Sequence, residues 1–140
     1  MMADAGGGTG FQELMGYRLT DWREDLAILE LALGERHLNR SGVIHGGVLM
    51  SLLDTACGYA GCFCPEPGRV RRAMTLSLTA NFVAQVKGGI LTAVGRKRPG
   101  GGRIFFCDGE IRDEGHTVVA VGVATFRYRQ GSEHMSGVAS

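Results

Sequence analysis

Residues 39–64, NRSGVIHGGVLMSLLDTACGYAGCFC, contain the side chains whose types and spacing could carry out chemistry. The segment begins as a polar turn and continues as a predicted helix, whose apolar residues recur at helical spacing: Leu49, Leu52, Leu53, Ala56, Ala60 and Phe63. After the turn, Asp54 is its only charged residue, and on a helical wheel it points away from the apolar stripe. Because a surface helix carries several charges, we expect this helix to be buried nearly all round and Asp54 to be enclosed.

Asp54 has two possible roles. Most buried carboxylates are structural and are held by hydroxyl or amide partners. The alternative is a catalytic nucleophile or general base that faces a site left open by Gly58 and Gly61. Two glycines after His45 also leave the backbone N–H groups of the helix start open to close approach. Such N–H groups stabilise a carbonyl oxygen that becomes negative, so an acid and an oxyanion hole on one element point to acyl transfer.

The motif HGGxxxxxxDTA begins at His45, with Asn39 six positions before it. It resembles the signature of hotdog-fold acyl-CoA thioesterases, in particular the phenylacetate-degradation (PaaI-like) type, which is similar also to mammalian medium- and long-chain acyl-CoA members. The resemblance extends over about residues 39–128. It implies an α+β hotdog fold, in which an antiparallel sheet wraps around one long helix. It also implies hydrolysis of an acyl-CoA thioester to a free acid and coenzyme A.

The resemblance assigns a role to each matching residue. Asp54 would be the catalytic acid, and the Gly46 N–H would polarise the thioester carbonyl. Asn39 would position the carbonyl or the attacking water, while His45 would orient that loop. Thr75 stands where this branch has a hydroxyl that supports the attack, often a serine. A related branch has glutamate in place of the aspartate, so Asp54 places the chain in the first branch.

The residue types leave several questions open. Asp54 could attack the thioester directly, through an anhydride, or could activate a water molecule. The acyl group could be aryl-acetyl or a medium- or long-chain fatty acyl group, and Trp22 and Phe63 could line its pocket or belong to the core. Two alternative functions remain: a non-catalytic hotdog module that binds acyl-CoA as a sensor, and a hotdog dehydratase that uses His45 as a base on hydroxyacyl thioesters.

Helix geometry predicts that the working unit is at least a homodimer. Gly46 and Asp54 must both approach one thioester, yet eight residues of helix advance about 12 Å. Two antiparallel copies of the helix would bring Gly46 of one chain beside Asp54 of the other, twice over. The family resemblance also implies dimers or dimers of dimers.

The elements that must position these residues follow from turns and periodicity. The 140 residues predict one domain at 11–129, between a disordered Gly-rich tail at 1–10 and a flexible tail at 130–140. A short helix at 11–16 and strands at 17–22 and 25–33 precede the long helix, and strands at 72–82, 90–98, 103–113 and 116–128 follow it. The strand at 72–82 alternates, with Met74, Leu76, Leu78, Ala80 and Phe82 on one face and Thr75, Ser77, Thr79 and Asn81 on the other.

Composition excludes several classes of protein. A net charge of +1 does not favour nucleic-acid binding, and no apolar stretch reaches the length of a membrane span. The four cysteines lack metal-ligand spacing, so we expect neither a metal site nor disulfides, and reduced thiols fit the cytoplasm. No cofactor is expected beyond the coenzyme A of the substrate. His37, His116 and His134 are expected at the surface.

Two basic clusters could hold the phosphates of coenzyme A. Lys97, Arg98 and Arg103 flank a PGGG loop, which offers both cations and free backbone N–H groups, and the family holds the nucleotide near this hairpin. We therefore assign these three residues to substrate binding, together with Gly47 at the helix start. The other cluster contains Arg69, Arg71 and Arg72, and we interpret it as a solvated rim.

Overall fold

Six antiparallel strands form one sheet in the order β1-β2-β5-β6-β7-β4, and helix α2 packs against it. The computed structural model describes residues 9–140. Its elements are α1 (Gly10–Met15), β1 (Arg18–Arg23), β2 (Leu26–Ala32), a short 3-10 turn (Glu35–His37), α2 (Gly46–Gly61), β3 (Arg69–Val70), β4 (Ala73–Phe82), β5 (Ile90–Lys97), β6 (Ile104–Arg112), β7 (Val118–Tyr128) and β8 (Val138–Ala139). This is the predicted α+β architecture of a sheet around one long helix.

The buried side of α2 confirms the predicted apolar stripe. Leu49, Leu52, Leu53, Ala56 and Ala60 are almost fully buried and belong to one core with β2, β5, β6 and β7. Glycines in the sheet let the helix approach closely. A Cβ atom at Gly95 would lie 2.4 Å from the carbonyl oxygen of Ala56, and one at Gly109 would lie 2.9 Å from Leu53. The core of the domain is therefore the contact between this stripe and the concave face of the sheet.

The opposite side of α2 contradicts the expectation of burial nearly all round. Residues at helical spacing remain only partly buried: Met50, Ser51, Asp54, Thr55, Gly58, Tyr59 and Cys62. The sheet covers one side of the helix, and nothing else in residues 9–140 covers this stripe completely. We call it the open stripe. Gly61, which we expected to open a site beside Asp54, instead packs on Phe105, because a Cβ atom there would lie 2.0 Å from the Phe105 ring.

Strand β4 lies at the edge of the sheet, where it pairs with β7 alone. Its side chains and those just after it include large apolar groups that stay about half exposed: Met74 (50%), Leu76 (48%), Phe82 (50%) and Val83 (57%). Exposed apolar edge strands are uncommon in stable monomers, because they invite pairing with another chain.

The C-terminal segment differs from the expected flexible tail. Residues 129–137 form turns and β8 pairs with β3. Arg69 donates to the carbonyl oxygens of Ser136 and Gly137, and Arg71 donates to that of Ser132. Two arginines of the expected solvated rim thus bind the end of the chain through charge-assisted hydrogen bonds.

The N-terminal prediction can be examined only in part. Residues 1–8 of the expected tail at 1–10 lie outside the described residues, and Gly10 already begins α1. Within the described part of the chain, no helix has the length and apolar character needed to cross a membrane.

Candidate active site

Asp54 and Thr75 come together between the middle of α2 and strand β4. The Thr75 hydroxyl donates a hydrogen bond of 2.6 Å to Asp54 Oδ1. This distance is typical of a strong O–H···O⁻ bond, in which an ionised acceptor shortens the contact. The bond fixes the orientation of the carboxylate and leaves Oδ2 for another partner.

A β-bulge brings Thr75 to the helix side of the sheet. The β4–β7 register shifts between Thr75 and Ser77, so Leu76 has no partner on β7. Below the bulge, Thr75 pairs with Phe126, whose buried ring stacks on Phe105 inside the domain. Regular alternation would have turned Thr75 to the outer face with Ser77. The predicted alternation therefore holds only for residues 77–82, and the bulge reverses it for the residues before it.

The start of α2 presents one unpaired backbone N–H group. His45 is the N-cap residue, and its Nδ1 accepts the Gly47 N–H at 2.8 Å. The Gly46 N–H has no hydrogen-bond acceptor within residues 9–140, as expected for the first residue of a helix. A Cβ atom at Gly46 would lie 2.8 Å from the Phe82 ring, so a glycine suits this position. Of the two glycines, only Gly46 offers an unpaired N–H.

Asn39 shapes the loop that precedes the helix. Its Oδ1 accepts N–H groups from Ser41 at 2.9 Å and Val43 at 3.4 Å, while its amide nitrogen has no acceptor within residues 9–140. Asn39 and Gly46 line one cleft of about 360 Å³ together with Phe82 and Gln85. The structure thus places the amide donor of Asn39 and the free N–H of Gly46 beside the same space. Sequence reasoning missed Gln85, because a lone exposed glutamine after a strand gives no signal.

His37 contradicts the expectation of a surface histidine. It is 2% exposed, its Nδ1 accepts the Gly34 N–H at 2.9 Å, and its Nε2 lies 2.7 Å from the Met15 carbonyl oxygen, to which it donates. Its own carbonyl oxygen accepts the His45 N–H at 2.8 Å. His37 therefore ties the loop before α2 to the N-terminal part of the domain, a role that a lone histidine in a sequence does not reveal.

One chain keeps the two halves of the site apart. The cleft of Asn39 and Gly46 does not include Asp54 or Thr75 among its lining residues. Eight residues of helix separate Gly46 from Asp54, an advance of about 12 Å. Within a single chain, the free N–H of Gly46 and the Asp54 carboxylate are therefore too far apart to contact the same small chemical group.

The basic residues of the β5–β6 hairpin are mostly engaged within the chain. Arg98 binds Asp108 through two hydrogen bonds of 2.8 and 2.5 Å. This pairing raises the pKa of Arg98 and lowers that of the Asp108 carboxyl. The Lys97 ammonium lies 3.3 Å from the Arg98 carbonyl oxygen. Only Arg103, of the three, has a side chain without a hydrogen bond or ion pair to residues 9–140.

The other candidate nucleophiles are held in their neutral forms. Burial raises the pKa of the Cys62 thiol to about 11, and burial likewise raises the pKa of the Tyr128 phenol to about 12. A hydrogen bond with Cys57, reinforced by burial, raises the pKa of the Cys107 thiol. Within residues 9–140, no three metal-ligating side chains lie close enough together to hold an ion.

Comparison with known proteins connects this geometry to thioesterases. The sequence profile of the thioesterase superfamily matches residues 41–120. The putative esterase PA0474 of Pseudomonas aeruginosa is 37% identical over 59 residues, which are 42% of this chain and 44% of that protein. The matched segments span about half the length of the curated relatives.

Two solved structures share the fold. The thioesterase HI1161 of Haemophilus influenzae has a TM-score of 0.76 at 26% identity, covering 85% of this chain and 82% of that chain. The Escherichia coli PaaI protein, from the phenylacetic acid degradation operon, has a TM-score of 0.77 at 26% identity, covering 89% and 87%. The similarity confirms the hotdog fold and the PaaI-like resemblance of the HGG motif.

Proposed function

Since the chain belongs to the thioesterase superfamily, we propose that it hydrolyses acyl-CoA thioesters to a free acid and coenzyme A. The family supports a thioester hydrolase in general terms, and the acyl-CoA substrate is our proposal. The single observation that carries it is the hydrogen bond from Thr75 to Asp54, which orients a carboxylate on the open stripe. Gly46 supplies the complementary group, an unpaired N–H for the thioester oxygen.

The active site is formed by two copies of the chain. Gly46 of one copy and Asp54 of the other meet when their α2 helices run antiparallel and cross near Met50, so that Gly58 and Tyr59 of the open stripe lie beyond the start of the partner helix. This arrangement overcomes the separation of about 12 Å within one helix. It also covers the half-exposed apolar groups of the β4 edge, such as Leu76 and Phe82, which supports a homodimer or a dimer of dimers.

The proposed reaction uses Asp54 in one of two ways. Its Oδ2 attacks the thioester carbon, the C–S bond breaks, and water then hydrolyses the resulting anhydride. Alternatively, the carboxylate takes a proton from a water molecule whose oxygen attacks the same carbon. In both, the Gly46 N–H binds the developing oxyanion, Asn39 positions the carbonyl or the water, and the departing thiolate of coenzyme A takes up a proton.

The geometry of His45 disfavours the hydroxyacyl dehydratase. Its Nδ1 already accepts the Gly47 N–H, so the neutral ring carries its hydrogen on Nε2. Such a ring has no free lone pair and cannot act as the base. His45 instead acts as a positioning residue that caps α2. We retain Gly47, Lys97, Arg98 and Arg103 as proposed contacts for the coenzyme A moiety, of which Arg103 has the freest side chain.

A panel of aryl-acetyl and fatty acyl-CoA esters, followed by release of free thiol, tests this function. Replacing Asp54→Asn preserves shape and removes the charge, so we expect kcat to fall by about 10²-fold or more with KM changed far less. Asp21→Asn, which removes an exposed carboxylate paired with Arg23, is the matched control and should leave kcat unchanged. Turnover of the Asp54 variant within a few-fold of the parent would contradict the catalytic assignment and favour a structural carboxylate, whereas no turnover by the parent across the panel would favour the non-catalytic binding module.

A further inference from the structure

The largest of the described cavities, about 720 Å³, is lined by residues of α2 and β4 that are close in sequence to Asp54 and Thr75. Gly58, one turn beyond Asp54 on α2, lines it, and so does Ala73, two residues before Thr75 on β4. Phe126, the register partner of Thr75, forms part of its floor. These residues are close in sequence to both Asp54 and Thr75. The part of a bound substrate that extends from the thioester in this direction therefore enters this cavity.

The floor of the cavity is aromatic. Trp22 and Tyr59 line it beside Phe126, and their rings meet edge to face at 5.1 Å. The Trp22 Nε1–H donates to the Tyr59 carbonyl oxygen at 2.8 Å, which holds the indole against α2. A fixed apolar surface of this kind favours the hydrocarbon part of an acyl group.

The rim of the cavity is cationic. Arg71, Arg72 and Arg129 line it, and none of the described lining residues is acidic. The Arg71 guanidinium group is engaged within the domain. It donates to the Ser132 and Phe63 carbonyl oxygens and lies over the Tyr128 ring. The guanidinium groups of Arg72 and Arg129, by contrast, have no hydrogen bond or ion pair with residues 9–140.

Arg72 and Arg129 are neighbours beside the paired strands β4 and β7. The Arg129 N–H donates to the Arg72 carbonyl oxygen at 2.8 Å, so the two backbones are adjacent across β4 and β7. Arg72 lies three residues before Thr75, an advance of about 10 Å along a strand. Two unpaired guanidinium groups over an apolar floor are complementary to a carboxylate at the end of a hydrocarbon chain.

We propose that Arg72 and Arg129 select acyl groups that carry a carboxylate at the end remote from the thioester. The chain lies on the aromatic floor while the terminal carboxylate binds the two guanidinium groups. The pantetheine arm of coenzyme A is longer than this span, so its phosphates fall beyond the pair. This inference rests on the proposed thioesterase function, and it names the substrate class of that site.

The test compares suberyl thioesters with their methyl-capped analogues, each on coenzyme A and on N-acetylcysteamine, which lacks phosphates. We expect kcat/KM of the parent to favour the free carboxylate by about 10-fold or more on both carriers. The double variant Arg72→Gln/Arg129→Gln should lose that preference without slowing the capped esters. Arg127→Gln removes an exposed arginine of the same strand that does not line the cavity, and it should retain the preference.

Three results would overturn the inference. The parent could show no preference for the free carboxylate, or the double variant could slow charged and capped esters alike. The double variant could also lose activity on coenzyme A esters alone, which would assign the two arginines to the phosphates. If the parent hydrolyses none of the four esters but does hydrolyse an aryl-acetyl or fatty acyl ester, the inference fails and the thioesterase function stands; if it hydrolyses no ester at all, the thioesterase function itself fails. Calorimetric binding of suberyl-CoA and its capped analogue to the Asp54→Asn dimer then decides the matter. About tenfold tighter binding of the charged ester, abolished in the double variant, supports the inference, and equal binding refutes it.

Discussion

The start and the middle of α2 each hold half of the proposed catalytic site, and they are built differently. The start is held by a network in which His37 binds His45 and His45 caps the helix, so the free N–H of Gly46 has a fixed direction. The middle depends on one hydrogen bond from Thr75, which lies on an edge strand with exposed apolar neighbours. The contacts that hold the helix start lie within one chain. The surroundings of Asp54, by contrast, are only partly covered by that chain, and the proposed second chain would cover the rest.

The largest effect that tests this comparison comes from removing the Gly46 N–H. Gly46→Pro is compatible with the first position of a helix and with the extended backbone of His45 (φ −70°, ψ 135°). We expect kcat to fall by roughly 10²- to 10³-fold, as for the loss of an oxyanion donor. Gly46→Ala is the matched control, because it makes the same contact with Phe82 and keeps the N–H.

Mixing chains extends this test to the dimer. Gly46→Pro and Asp54→Asn homodimers should each be nearly inactive, while half of the dimers in an equal mixture carry one intact site of two. Activity should therefore return to about a quarter of the parent value after subunit exchange. No recovery despite exchange confirmed by mass spectrometry, or a fully active monomer in the ultracentrifuge, would show that one chain supplies both halves.

An intermediate effect is expected at Thr75. Thr75→Val keeps the β-branched shape that a strand favours and removes the donor to Asp54, so we expect kcat to fall by about 10-fold. Thr75→Ser restores the hydroxyl and should recover most of the rate. If valine and serine behave alike, the hydrogen bond does not orient the reacting carboxylate, and the two halves of the site differ less than the structure indicates.

The smallest effect is expected outside both halves, at the β5–β6 hairpin. Replacing Lys97, Arg98 and Arg103 by glutamine should raise KM for coenzyme A esters by roughly 3-fold, because exposed cations contribute little. Because Arg98 is already paired with Asp108, its replacement is expected to contribute little to this rise in KM. An N-acetylcysteamine thioester should be unaffected. Equal losses with both carriers would mean that these residues shape the loop rather than contact the nucleotide.

Much of the fold follows from the sequence because its elements carry strong local signals. A sheet around one helix is predicted by three of these signals. They are the apolar stripe of α2, the turns between the predicted strands, and the alternation of side chains in the strands that follow the helix. The HGG and DTA motifs also predict the site residues, of which Gly46 has an unpaired N–H and Asp54 accepts a hydrogen bond from Thr75.

The remaining features depend on contacts that local patterns do not record. The open stripe of α2 resembles a buried surface in sequence, because Asp54 is its only charged residue. Arg71 reads as a solvated cation, yet it binds carbonyl groups at the end of the chain. His37 is buried through partners that lie far from it in sequence.

The bulge at Leu76 determines which side chains of β4 face α2. It therefore affects both the proposed catalytic rate and the proposed acyl preference. Without it, Thr75 and Ala73 would both face outward, and Leu76 would occupy the position beside Asp54. One unpaired residue thus turns both the hydroxyl that holds the acid and the wall of the arginine-rimmed cavity toward the helix. A register that paired Leu76 with Phe126 would instead turn the Thr75 hydroxyl away from Asp54, and it would change rate and acyl preference together.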